Sequence, residues 1–276
     1  MDKWTLLIDT ADQIGLIHKI SGVLVNQNLN VVTNSEFVDN DNNRFFMRCE
    51  IDGDLSRETI LHELSSFLPK AKLSLCPMKN KDIVVMVTKE SHAIGDMLIK
   101  HEFGELGANI KAVIGNHDKL KPLVEKFNIP YEHVSHENKS REEHEDEIRD
   151  IIDAISPDYV VLAKYMRILT PNFVQGLENK IINIHHSFLP AFIGANPYKQ
   201  AHKRGVKIIG ATAHFVNNDL DEGPIIFQDV TPVNHTMSWE NMMSLGINVE
   251  KNVLASALKL VFENRIFVYG NKTIIL

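Results

Sequence analysis

The feature that most constrains this chain is a change in the order of its elements at the polar stretch KNKD, residues 79 to 82. Before it, an apolar run from Trp4 to Ile8 precedes Leu16, Ile17, Ile20, Val23 and Leu24, which fall on one face of a helix. Residues 31 to 38 and 44 to 51 read as a hairpin across the turn DNDNN, with Phe45, Met47, Cys49 and Ile51 alternating toward one buried face. Ser56 caps a second helix bearing Ile60, Leu61, Leu64, Phe67 and Leu68, Pro69 stops it, and a last strand lies near 71 to 76. The order βαββαβ predicts a ferredoxin-like domain over residues 1–80.

Beyond the joint, over residues 81–276, strands alternate with helices. IVVMV at 83 to 87 opens the series, and a helix at 140 to 155 starts on the capping box Ser140 to Glu143. YVVLA at 159 to 163 is a strand, Thr170 with Pro171 begins a short helix, and IINIH at 181 to 185 is another strand. Asn196 and Pro197 start a further helix, strands follow near 208 to 216 and 224 to 231, a helix runs from 238 to 262, and Gly270-Asn271 turns a last hairpin. Such alternation predicts a doubly wound, mostly parallel sheet covered by helices on both faces.

A length of 276 residues suits two domains, and 44% hydrophobic residues suffice for packed cores. A formal charge of −7 gives no electrostatic reason to bind nucleic acid or an anionic membrane. No stretch supplies an export signal or about 20 apolar residues for a span, so a cytoplasmic protein is expected. Cys49 and Cys76 are the two cysteines, too few for a disulfide framework and without zinc spacing, so reduced, buried thiols are expected.

Side chains alternate along a strand, so Asn183, His185 and Ser187 are expected on one side of it, converging at its C-terminal end. Ligand crevices of doubly wound sheets lie at such ends, and the loop SFLPAFIGANP, 187 to 197, begins there. HFVNNDLDEGP, 214 to 224, carries three acids and Gly223 in a loop. Asp221 beside Asn183 and His185 would let a hydrolase orient water and stabilise an oxyanion. A zinc site drawn from His185, His186, His202, His214 and Asp221 is disfavoured, because neighbouring strand residues His185 and His186 point to opposite faces. TKESHAIGD after the first strand of this half holds one glycine, Gly95, and makes no phosphate-cradling loop.

The segment NIHHSFLPAFIGANPYKQAHKRGVKIIGATAHFVNNDLDEGPII resembles the formyltransferase-fold family of folate enzymes, whose hallmark is an Asn-x-His pair with a downstream Asp in an acid-rich loop. Asn183, His185 and Asp221 fall on these positions, and His214 matches as well. AKYMRIL, 163 to 169, resembles the stretch whose backbone lines the pterin pocket. The resemblance implies that Met166, Arg167, Leu169, His214 and Asn217 serve the folate. It is closest to the deformylase branch, through AVIGNHDKL, AKYMRILTP and VYGNKTIIL, and through His186 where transferases usually have proline. It implies hydrolysis of 10-formyltetrahydrofolate to formate and tetrahydrofolate, with no metal and no organic cofactor, for purine biosynthesis and one-carbon balance. Alternatives are a formyl transferase or a non-catalytic folate- or amino-acid-binding regulator. Residues 1–80 resemble an ACT domain, which implies homo-oligomer formation and effectors such as methionine, an activator, and glycine, an inhibitor. Asp12 and Gly15 stand at the expected amino-acid site, although the proline usual before that glycine is missing.

Overall fold

A βαββαβ chain with the split arrangement of strands opens the molecule: β1 (Lys3–Ala11), α1 (Leu16–Asn26), β2 (Asn30–Asp39), β3 (Arg44–Asp52), α2 (Arg57–Phe67) and β4 (Lys72–Pro77). The computed structural model describes residues 3–191 and 196–276, so positions 192–195 of the loop read at 187 to 197 lie outside the described residues. The four strands form one antiparallel sheet in the order β2-β3-β1-β4. The register Leu6↔Cys49 and Ile8↔Met47 puts these side chains on one face with Leu75, where Ile20 and Leu24 of α1 and Ile60 and Leu64 of α2 bury them. Ser56 accepts a hydrogen bond from the Thr59 N–H and caps α2.

The opposite face of β3 is also buried at Phe46, which the alternation from Phe45 to Ile51 does not announce. Phe267 meets the Phe46 ring edge-on at 5.5 Å and Tyr269 at 6.0 Å. Arg48 donates from Nε to the Asn264 carbonyl at 3.2 Å and from Nη2 to the Glu263 carbonyl at 2.9 Å. These contacts join Glu263–Tyr269 and Ile274–Leu276 to Met1–Lys79 as one compact unit, the other being Asn80–Phe262 with Gly270–Thr273. The end of the chain thus departs from a simple division at residue 80, because Phe46 and Arg48 on β3 capture it.

The second unit runs through β5 (Lys81–Val87), α3 (His92–Glu102), β6 (Ala108–Gly115), α4 (Lys121–Val124), β7 (Tyr131–His133), α5 (Arg141–Ile155), β8 (Tyr159–Leu162), α6 (Pro171–Val174), β9 (Ile181–His185), α7 (Pro197–Arg204), β10 (Ile208–Phe215), β11 (Ile225–Pro232) and α8 (Trp239–Phe262). A short hairpin, β12 (Ile266–Tyr269) with β13 (Lys272–Ile275), ends the chain. The seven strands of the large sheet are ordered β11-β10-β9-β8-β5-β6-β7. Strands β5 to β9 are parallel, and β10 and β11 extend the sheet antiparallel.

Val84, Met86, Ile114, Val160, Leu162 and Ile181 pack under Ile148 and Ile152 of α5 and Phe173 of α6. The alternate residues Ile83, Val85, Val113 and Val161 are equally inaccessible, so both faces of the sheet are covered. The chain turns back between β5 and β8: β6 and β7 lie on one side of β5, β8 and β9 on the other. A crevice opens at the C-terminal ends of the strands at this reversal. Helix α5 starts on a complete capping box, with Ser140 Oγ accepting from Glu143 N and Glu143 Oε2 from Ser140 N. Ser140→Ala should lower the unfolding free energy by about 1 kcal/mol, measured by urea denaturation; an unchanged midpoint would show that the box is not stabilising.

Candidate active site

Strand β9 delivers Asn183 and His185 to its C-terminal end, and antiparallel β10 brings His214 opposite Asn183. The loop after β10 folds back at once, with Phe215 N–H donating to Pro224 O at 2.9 Å. A Cβ on Gly223 would collide with the Phe215 carbonyl, so only glycine permits this return. The tight loop holds Asp221 in a left-handed backbone conformation, φ 59°, and turns its carboxylate onto the histidines.

His185 Nδ1 lies 3.2 Å from Asp221 Oδ2. His185 is buried, and its Nε2 has no hydrogen-bond partner among the described residues. His214 Nδ1 donates to the Phe215 carbonyl at 2.8 Å, which leaves Nε2 to accept from the Asn183 amide at 3.2 Å. Asp221 Oδ1 stands 3.7 Å from the same His214 nitrogen, beyond a hydrogen bond. Burial pushes the Asp221 carboxyl up. The N–H that His185 gives it outweighs burial and keeps it ionised, far below the ordinary carboxylate range. The pair is thus a carboxylate fixing one imidazole nitrogen while the other nitrogen is available to a substrate.

A second buried network lies beside it. Lys164, left-handed at φ 63° just after β8, places its Nζ 3.1 Å from Glu250 Oε2 and 3.1 Å from His186 Nδ1. Glu250, on α8, also accepts from Tyr198 Oη at 2.6 Å and His92 Nε2 at 2.9 Å. Burial pushes the Glu250 carboxyl up, but the His92 hydrogen bond, the Lys164 charge and the Tyr198 hydroxyl bring its pKa to about 2. Lys164, His186, His92 and Glu250 line a cavity of about 530 Å³ in the crevice, with Met166, Trp239 and Met243 among its apolar walls. Glu90, His92 and Glu250 are the one group of three metal-competent donors found together among the described residues. The Lys164 ammonium, 3.8 Å from Glu90 and 3.1 Å from Glu250, already supplies that cluster with a cation.

Residues 81–258 match the family model described as formyl transferase. A formyltetrahydrofolate deformylase of Escherichia coli O6:H1 is 59% identical over 96% of this chain and 95% of its own length. The crystal structure of a formyltetrahydrofolate deformylase from Pseudomonas syringae pv. tomato superimposes with a TM-score of 0.96 at 40% identity, covering 100% of this chain and 95% of that one. The chain belongs to the formyltetrahydrofolate deformylase family. A glycinamide ribonucleotide transformylase from Symbiobacterium toebii is more distant, with a TM-score of 0.68 at 28% identity over 71% of this chain and 94% of its own.

In this deformylase-family chain the sequence-derived residues separate into groups. Asn183, His185, His214 and Asp221 come together. Ser187 does not join them: β9 ends at His185, and Ser187 Oγ donates to the Ala191 carbonyl at 2.6 Å. The same early end corrects the argument from opposed faces, for His186 has left the strand and its ring stacks on His185 at 5.1 Å and 19°. Met166 is exposed on the cavity wall, its N–H donating to Thr88 Oγ1 at 2.9 Å. Arg167 is half-buried, and Leu169 packs against the core under α5 and α6. Asn217 Oδ1 accepts from Asp219 N at 3.1 Å, so its side chain shapes the loop. Asp12 and Gly15 lie in the turn between β1 and α1, Gly15 at φ 85°. Cys49 is buried, its thiol pushed up to about 11 by burial, while Cys76 is half-buried.

Sequence reasoning missed Lys164 and Glu250. The signal was present for Lys164, a charged residue ending the apolar strand YVVLA, and for Glu250, an acid on the apolar stripe of α8. Because the folded pKa of Glu250 lies below its unfolded value, its contribution is complete above about pH 4.5 and is lost as pH falls toward 2. Urea midpoints measured from pH 5 to pH 2.5 should fall less steeply in Glu250→Gln than in the unmodified protein; parallel curves would show that this carboxylate does not govern acid stability.

Proposed function

We propose that this chain hydrolyses 10-formyltetrahydrofolate to formate and tetrahydrofolate at the centre formed by Asn183, His185 and Asp221. The observation that carries the reading is the 3.2 Å contact of Asp221 with His185 Nδ1, with the opposite nitrogen buried and without a partner among the described residues. With Nδ1–H given to the carboxylate, Nε2 presents its lone pair and takes a proton from water as it attacks the formyl carbon. Asp221 stays ionised and stabilises the imidazolium that forms. The second N–H of the Asn183 amide, the first being given to His214, donates to the tetrahedral oxyanion. His185 then returns its proton to N10 as the carbon–nitrogen bond breaks, and formate and tetrahydrofolate leave.

No step calls for a metal or an organic cofactor. Met166, Arg167, Leu169, His214 and Asn217 are proposed to serve the folate, His214 by orienting Asn183. Residues 1–80 are read as an ACT-like regulatory domain through which subunits pair, with Asp12 and Gly15 at a site for a small amino acid such as methionine or glycine. The free space around Gly15 and its left-handed turn support that reading. The formate is proposed to supply purine biosynthesis and to balance one-carbon pools in the cytoplasm.

Formate should appear from 10-formyltetrahydrofolate alone, and adding glycinamide ribonucleotide should leave its rate unchanged; strict dependence on the ribonucleotide would make the chain a transferase. Asp221→Asn should lower kcat by at least about 10²-fold with folate affinity nearly intact, as read by formate release and equilibrium binding. His185→Ala and Asn183→Ala should do likewise. A near-normal rate in Asp221→Asn would displace the carboxylate from the mechanism.

A further inference from the structure

We propose that Lys164 is a positioning residue: its ammonium, anchored on Glu250, fixes His186 as the Nε2–H tautomer and holds that ring flat against His185, so that only His185 relays the proton. The inference rests on the hydrolytic reading of the Asn183, His185 and Asp221 site. Lysine has donors and no acceptor, so at 3.1 Å His186 Nδ1 must be the acceptor and its proton must sit on Nε2. The tautomer follows from that single contact.

The anchoring is unusually complete for a lysine. The side chain is 4% exposed, and its backbone adopts a left-handed conformation that a residue without a special reason avoids. Glu250, itself 2% exposed, is held from two further sides by Tyr198 of α7 and His92 of α3. Tyr198 reaches it because position 246 on α8 is glycine; a Cβ there would collide with the tyrosine ring. Residues from α3, α7 and the end of β8 therefore converge on one carboxylate of α8, and that carboxylate holds the ammonium.

The charged groups facing His186 are Lys164 from the end of β8, Glu250 from α8, His185 from β9 and Asp221 from the loop after β10, with the Tyr198 ring at 6.3 Å. Glu90, at the start of the α3 turn, bears on Lys164 from 3.8 Å. Burial and then the Lys164 charge bring the His186 pKa down to about 4, against the smaller opposing effects of Glu250 and Asp221. His186 thus stays neutral where the enzyme works. Its ring presses on His185 without a second cation, and the imidazolium that forms in the reaction is paired with Asp221 alone. Removing the ammonium while Glu250 remains would invite a proton onto His186. Two stacked imidazoliums would then repel, and the relay would stall as pH falls.

The test combines a titration of the intact protein with a neutral pair of substitutions. In histidine-labelled full-length protein, nitrogen NMR should show His186 as the neutral Nε2–H form down to about pH 5. Lys164→Met/Glu250→Gln removes both charges together and leaves no unpaired buried ion. It should lose about 10²-fold in kcat with KM little changed. Lys164→Met alone should add an acid limb to the kcat profile below about pH 6.5, where a freed histidine titrates, and His186→Gln in that background should abolish the limb without restoring the rate. His186 titrating near 6.5 in the unmodified protein would overturn the proposal, as would normal kcat and an unchanged pH profile in the neutral pair. Absence of formate from the unmodified enzyme would instead defeat the hydrolytic reading, and the NMR titration would still report on the network.

Discussion

The contact between Asp221 and His185 is the constraint on which the functional half of this molecule depends. A carboxylate and an imidazole can hold one another at 3.2 Å in a buried crevice only if separate pieces of chain are brought there rigidly. Strand β9 supplies the histidine, the return of the chain after β10 supplies the aspartate, and Gly223 is the residue that lets the return happen. Both partners would be expensive to bury alone. Together they form a charge-assisted hydrogen bond whose geometry the sheet fixes before any substrate arrives.

The parallel sheet explains where this occurs. Strands β5, β8 and β9 all end at the reversal of strand order, so three consecutive chain exits open into one crevice. One exit carries His92, the second Lys164, the third His185 and His186. Helix α8 closes the far side with Glu250. The crevice therefore holds two ionic systems side by side, Asp221 with His185 and Glu250 with Lys164, joined by the stacked imidazoles. Such pairs contribute little net stability compared with apolar packing of the same volume. Their value lies in fixing which nitrogen carries a proton.

Much of this was legible in the sequence. The βαββαβ order of the first 78 residues, the α5 capping box and the alternation that aims Asn183 and His185 to one side all rest on local periodicity, which the chain obeys. Ser187 and His186 were misplaced for one reason: the alternation was extended past His185, where β9 ends. The capture of Glu263–Tyr269 by Phe46 and Arg48 depends on residues distant in sequence. So does the meeting of Lys164 with Glu250. Nothing local signals such pairings except that each puts a charge or an aromatic ring where the pattern calls for something else.

Whether His185 and Asp221 work as one device is tested most directly by a double-mutant cycle on the rate of formate release. If the carboxylate acts through the imidazole, Asp221→Asn in a His185→Ala background should cost no more than about threefold beyond His185→Ala alone, the strong non-additivity of residues working as a unit. If the two losses instead multiply, Asp221 acts on water independently of His185, and the central contact of this site has been assigned the wrong role.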